Sequence, residues 1–165
     1  MDVQDQTELL ATINKALKEA IRIMNADKGN IQLYNADENT LRIVGQQGFN
    51  RQFLEHFRIV TPSYTACGVA LKRRQRVIIE DVFTDKDFAH LWPVFSAYGY
   101  VAVQSTPLLR LDKSIIGVIS THFNSPFSPK RKQFRLLDAH LEVLRQTLEQ
   151  NETELKSIPG LTDVE

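Results

Sequence analysis

The 165 residues suit one domain with a core of its own, and 42% hydrophobic with 24% charged residues is ordinary for a globular protein. Lys plus Arg equals Asp plus Glu at 20 each, so no overall field draws the chain to nucleic acid or membrane, and the cluster Lys72, Arg73, Arg74, Arg76 reads as a solvated turn. A single cysteine excludes an intrachain disulfide or a Cys-based zinc site. No window reaches membrane-span length and MDVQDQTELL lacks a signal-peptide pattern, so a cytoplasmic setting is expected.

Residues 7–24 read as a helix, with Leu10, Ile13, Leu17, Ala20 and Met24 spaced 3, 4, 3, 4. Strands are predicted at 30–35 and 40–45 around the turn Asn35-Ala36-Asp37-Glu38-Asn39. Arg51–Phe57 reads as a short helix, 58–67 as a loop broken by Pro62, Cys67–Leu71 as a helical turn and Val77–Ile79 as a buried strand. Thr84 is placed as the cap of a helix over Asp85–Leu91, and Pro93 opens another that Gly99 ends. Val101–Phe123 is a hairpin turning at Leu111-Asp112-Lys113. Ser128-Pro129 then opens a long helix, 129–156, whose Leu137, Leu141, Leu144, Leu148, Asn151 and Leu155 form a heptad seam. Domain bounds of 1–156 follow, with 157–165 as a tail or linker.

The two heptad stripes are narrower than a helix covering a sheet usually shows, and the last helix, at about 1.5 Å per residue, outruns a small sheet. Dimerisation is therefore expected, through Leu10, Ile13, Leu17, Leu137, Leu141, Leu144 and Leu148, with Asn151 fixing register.

The hairpin carries the functional signal. With Leu109 opposite Ile115, Gln104 falls opposite Ser120. Gln104, Thr106, Ser120 and His122 then share one face, a hydrophilic row on a central sheet. Buried polar groups need partners, so such a row suggests a lined cavity for a small molecule. Tyr64, Trp92 and Tyr98 are placed at this pocket, the latter two within an aromatic stretch (Phe83 to Tyr100) that reads as a lid. Cys67, at the start of a helical turn, reads either as a reactive or attachment site or as a small buried hydrophobe. The acids Asp81, Asp85 and Asp87 with His90 fit caps better than a metal site, and no catalytic constellation is present.

Several segments together resemble a GAF domain over residues 8–150: Ala26-Asp27-Lys28-Gly29-Asn30-Ile31-Gln32-Leu33, Leu41–Val44 with Gly48-Phe49, Cys67–Leu71, Val77–Val82, Gln104–Leu108 and Ile116–Phe123. The resemblance is to GAF domains of bacterial sensor histidine kinases and related signalling proteins. It implies an α+β, PAS-related fold: a central antiparallel sheet with N- and C-terminal helices on one face, and loops and short helices forming a pocket on the other. It further implies a non-enzymatic sensory domain of a two-component or similar system, binding an unidentified small molecule and signalling through dimerising terminal helices to a kinase or other output domain. It names no cofactor. The alternatives are a structural dimerisation module with a vestigial pocket, and a bilin-binding photoreceptor. In the phytochrome pattern the attachment cysteine lies late and precedes a histidine, whereas Cys67 lies early and precedes Gly68. The sulfoxide-reductase branch needs several cysteines, and the Asn-Lys-Phe-Asp-Glu signature of the cyclic-nucleotide branch is absent.

Overall fold

A computed structural model of the chain describes residues 3–161. The elements are α1 (Val3–Met24), β1 (Lys28–Asn35), β2 (Thr40–Gln47), α2 (Arg51–His56), β3 (Ile59–Val60), α3 (Ala66–Arg73), β4 (Val77–Ile79), a 3-10 turn at Ala89–Leu91, α4 (Trp92–Tyr98), β5 (Ala102–Leu109), β6 (Ile115–Phe123), α5 (Arg131–Gln150) and α6 (Glu152–Ser157). The strands form one sheet in the order β3-β2-β1-β6-β5-β4, antiparallel throughout. It is an α+β fold with a core on each face of the sheet.

On one face lie α1 and α5. Their ties pair early residues of one with late residues of the other: Gln133 Nε2 donates to the Met24 carbonyl, and His140 Nε2 lies 2.8 Å from the Ala16 carbonyl oxygen. The helices therefore run antiparallel. Ile13, Leu17, Leu137, Leu141, Leu144 and Leu148 are buried with Ile31, Leu33, Ile119 and Phe123 in one core, and Leu10 packs partly buried against it. This corrects the expectation that these leucines and isoleucine meet a second copy: their stripes are filled within the chain. Spacing of 3.5 marks a helix pair and carries no information on whether both helices belong to the same molecule. α1 also buries Leu9, Ala16 and Ile21, a wider stripe than the a/d positions alone. Burying a leucine of this kind stabilises the fold by about 1.5–3 kcal/mol.

The hairpin is where expectation and structure part. Leu109 does pair with Ile115, but Leu108 pairs with Gly117, so Ile116 is an extra residue in β6. One bulged residue moves every subsequent pairing by one and exchanges the faces. Gln104 consequently opposes Thr121, Ser105 opposes Ser120, and Val103 opposes His122. Gly117 permits the packing of β6 on β1, since a Cβ there would stand 2.2 Å from the Gln32 carbonyl oxygen.

Smaller departures have local causes. Asp81 and Asp85 turn their carboxylates onto backbone N–H groups of 83, 87 and 88, which replaces the helix expected over Asp85–Leu91 by turns and the short 3-10 segment. α5 starts after Lys130, which makes no side-chain cap, rather than at Pro129. It stops at Asn151, whose φ of −121° and ψ of 35° leave the helix. The Asn151 amide bonds the Thr147 carbonyl in place of a partner. The expected tail is partly packed: Arg42 donates to the Leu155 and Ile158 carbonyls, Ile158 is buried, and Leu161 N bonds the Ile43 carbonyl. Residues 162–165 of that tail lie outside the described residues. Among the described residues no helix is long and apolar enough to cross a membrane.

Candidate ligand pocket

The sheet face away from α1 and α5 is covered by α2, α3, the 3-10 turn and α4, which enclose a cavity of about 30 Å³. Its floor is built by alternation. Asn30 and Gln32 on β1 point to it while Ile31 and Leu33 point to the helices. Val103 and Ser105 of β5, with Ser120 and His122 of β6, complete the floor. Asn30 pairs with Ser120, and His122 is flanked by Lys28 and Val103, which makes the polar floor continuous across three strands.

Each cover element is placed by a recognisable local device. Asn50 caps α2 by accepting from Phe53 N, and the helix delivers Phe53 and Phe57 to the cavity. Thr65 caps α3 by accepting from Gly68 N, bringing Thr65, Ala66 and Cys67 to the wall. α4 begins with Pro93 in its first turn and ends at Gly99 (φ 73°), presenting Val94 and Phe95, and Tyr100 follows. Phe49 stacks on Phe53 at 3.8 Å between ring centroids and meets His122 edge-on at 4.8 Å. Tyr100 lies 4.6 Å from the same imidazole.

The expected site residues separate into three groups. Cys67, Ser120 and His122 line the cavity. Gln104 and Thr106 lie on the other face, for the register reason above: Gln104 Nε2 donates to Thr121 Oγ1 and Thr106 Oγ1 donates to Gln104 Oε1. Arg76 Nε reaches Thr106 Oγ1, its guanidinium pairs with Asp138 of α5, and it covers the Phe134 ring at 4.4 Å. Tyr64 is 73% exposed and Trp92 53% exposed, each turned outward from the cover, and Tyr98 closes the rim by packing on Phe53. Of the aromatic lid, Phe88, Phe95 and Tyr100 are buried and Phe83 is exposed. Asn30, Gln32 and Ser105 are the floor residues that the hairpin pattern alone does not reveal.

The electrostatics are uniform. Every residue on the wall is formally uncharged. Burial, assisted by the nearby Lys28 ammonium, holds His122 neutral with a pKa lowered to about 3. Burial pushes the Cys67 thiol up despite opposing hydrogen bonds from Thr65 and Gln32, so it is no ready thiolate. The Tyr100 phenol is likewise pushed well up by burial. Ser105 Oγ and Ser120 Oγ satisfy each other at 2.7 Å. Three buried atoms on the floor have no partner: Asn30 Oδ1, Gln32 Oε1 and His122 Nδ1. No group of three or more His, Cys, Asp or Glu able to hold a metal ion occurs among the described residues.

The comparisons agree with this architecture. The chain is similar to a domain of a two-component sensor histidine kinase protein from Sinorhizobium meliloti 1021, at 15% identity and TM-score 0.71 over 94% of this chain and 96% of that one. It is similar to the chromophore-binding domain of a bacteriophytochrome from R. palustris, at 18% identity and TM-score 0.66 over 88% and 57%. It is also similar to a free methionine-R-sulfoxide reductase from Neisseria meningitidis, at 14% identity and TM-score 0.69 over 88% and 80%. At these identities the likeness is one of fold. No curated protein sequence matches the chain. The family model for the GAF domain matches residues 6–150, and the chain belongs to that family.

Proposed function

We propose that this chain is a small-molecule-binding sensory domain, and that the three unpartnered atoms Asn30 Oδ1, Gln32 Oε1 and His122 Nδ1 carry the reading. Native interiors leave few polar groups unbonded, and three facing one cavity suit a ligand that completes them. The same strands suit transmission. Val103, Ser105, Ser120 and His122 face the ligand side. Gln104, Thr106 and Thr121 alternate with them on the reverse and reach α5 through Arg76 and Asp138. A ligand that binds two arrangements of β5 and β6 unequally would shift α5 and whatever output domain follows it. If two copies associate, the apolar residues left on the outside of α5, Leu136 and Val143, suit the contact better than the buried stripes.

A second reading, a structural module with a vestigial pocket, is favoured by the cavity volume. About 30 Å³ holds two or three waters at about 10–15 Å³ each, and Phe49 with Phe53 fills space a ligand would use. The pigment reading loses support because Cys67 is buried with a raised pKa. An enzyme acting through several cysteines has no counterpart in a chain with one.

Denaturing the purified protein and identifying released small molecules by mass spectrometry separates the first two. The sensory reading predicts a stoichiometric compound from the native chain, lost from the cavity-filling variant Ser120→Phe provided that this variant keeps its fold by circular dichroism. A native chain that releases nothing supports the vestigial pocket.

A further inference from the structure

We infer that the cavity takes a small, uncharged, flat molecule carrying N–H or O–H donors, such as a neutral carboxamide or NH-heterocycle of one ring. The inference rests on the sensory reading above and adds the chemistry of the ligand.

Asn30 and Gln32 are two residues apart on β1, so their side chains stand about 7 Å apart on one face. His122 is paired with Lys28, the residue two before Asn30 on that strand, which extends the row in the same direction. The row therefore offers two amide oxygens, each an acceptor, and one imidazole nitrogen at its end. Acceptors without partners select a ligand rich in donors.

Charge is selected against. None of the wall residues is ionised, and the nearest ammonium, Lys28 Nζ, is held at the rim by the Tyr98 carbonyl at 2.9 Å. A carboxylate or phosphate entering here would leave water and face the oxygens of Asn30 and Gln32, with no cation on the wall itself and the Lys28 ammonium engaged by the Tyr98 carbonyl. A cation would lose its water with no carboxylate on the wall to pair with and with the Lys28 ammonium nearby.

Shape and size follow from the walls. Phe53, Phe95 and Tyr100 present rings to the cavity, and flat ligands stack on or meet ring edges favourably. The void as it stands is about 30 Å³, so even one ring enters only as a wall side chain such as Phe53 withdraws, which favours the smallest flat ligands.

The test is a titration of the full chain with nicotinamide, uracil, nicotinate and toluene, followed by ¹H–¹⁵N NMR including side-chain amide signals. The inference predicts that nicotinamide or uracil shifts the Asn30 and Gln32 side-chain signals and binds at least about tenfold more tightly than nicotinate or toluene. Gln32→Leu should cut that affinity about tenfold and leave toluene unaffected. If Gln32→Leu fails to fold, a crystal structure of the native complex must place a ligand N–H within hydrogen-bond distance of Asn30 Oδ1 or Gln32 Oε1. Equal or tighter binding of nicotinate or toluene overturns the ligand class and leaves the sensory reading standing. If no probe perturbs the cavity, its polar atoms are bonded to waters that no probe displaces, and denaturation releases no compound, both fail.

Discussion

His122 shows how far a single side chain can be moved from its solution behaviour. It is enclosed by Phe49, Phe53 and Tyr100, with Lys28 beside it, and its charged form is disfavoured in the folded chain. The consequence for stability has a definite sign. A folded-state pKa of about 3, against about 6.5 when unfolded, means that the unfolded chain binds the proton first as pH falls. Stability from this residue is complete above pH 6.5 and declines towards pH 3, with a slope of up to about 1.4 kcal/mol per pH unit. Urea titrations at pH 7, 6 and 5 should show this decline in the native chain and a flatter profile in His122→Gln. Carboxylates titrate mostly lower, so this window isolates the histidine. An identical slope in the variant would show that His122 is not the titrating group. Cys67 obeys the same physics with the opposite outcome, because burial keeps its thiol protonated and unreactive.

Secondary-structure elements explain both what can be read from the sequence and what cannot. Deleting side-chain volume from the interlocked α1–α5 pair should cost stability. Leu148→Ala is expected to lose about 2–5 kcal/mol, since Leu148 is completely enclosed. Leu148→Lys should unfold the chain rather than release a folded monomer. Leu136→Glu with Val143→Glu should leave the fold intact and abolish any dimer, as read by circular dichroism and light scattering. Folded, monomeric Leu148→Lys would restore the buried stripe to an intermolecular role. The strands other than the two-residue β3, which lies in the segment read as a loop, the hairpin turn and both long helices are legible because their apolar periodicities and turn residues are local. The face assignment of Gln104 and Thr106 is not, because a bulge of one residue at Ile116 exchanges faces without altering the apolar content of either strand. Asn30 and Gln32 do carry a sequence signal, alternating with Ile31 and Leu33. Their value emerges only once β1 is known to sit beside β6 in the middle of the sheet. Trp92 and Tyr64 mislead for other reasons: seven residues of α4 fix its helical phase poorly, and Tyr64 lies in the irregular loop before α3, where no periodicity sets its direction.

For the whole molecule, one sheet separates two cores of different character. The helix side is largely apolar, and its buried row Gln104, Thr106 and Thr121 is hydrogen-bonded and linked through Arg76 to Asp138 of α5. The cavity side is aromatic over a polar floor left incomplete. On the sensory reading proposed above, that asymmetry is what a receptor needs, since native interiors leave few polar groups unbonded. On that reading the close fit of α2 over the cavity is a closed state, which a ligand larger than water would open by displacing Phe53. The most direct measurement is the native mass spectrum of protein purified without added ligand, which reports adduct and stoichiometry together. The sensory account predicts a non-covalent adduct of one small molecule per chain that disappears on collisional activation. A bare chain mass, with the cavity atoms found bonded only to water, would contradict it.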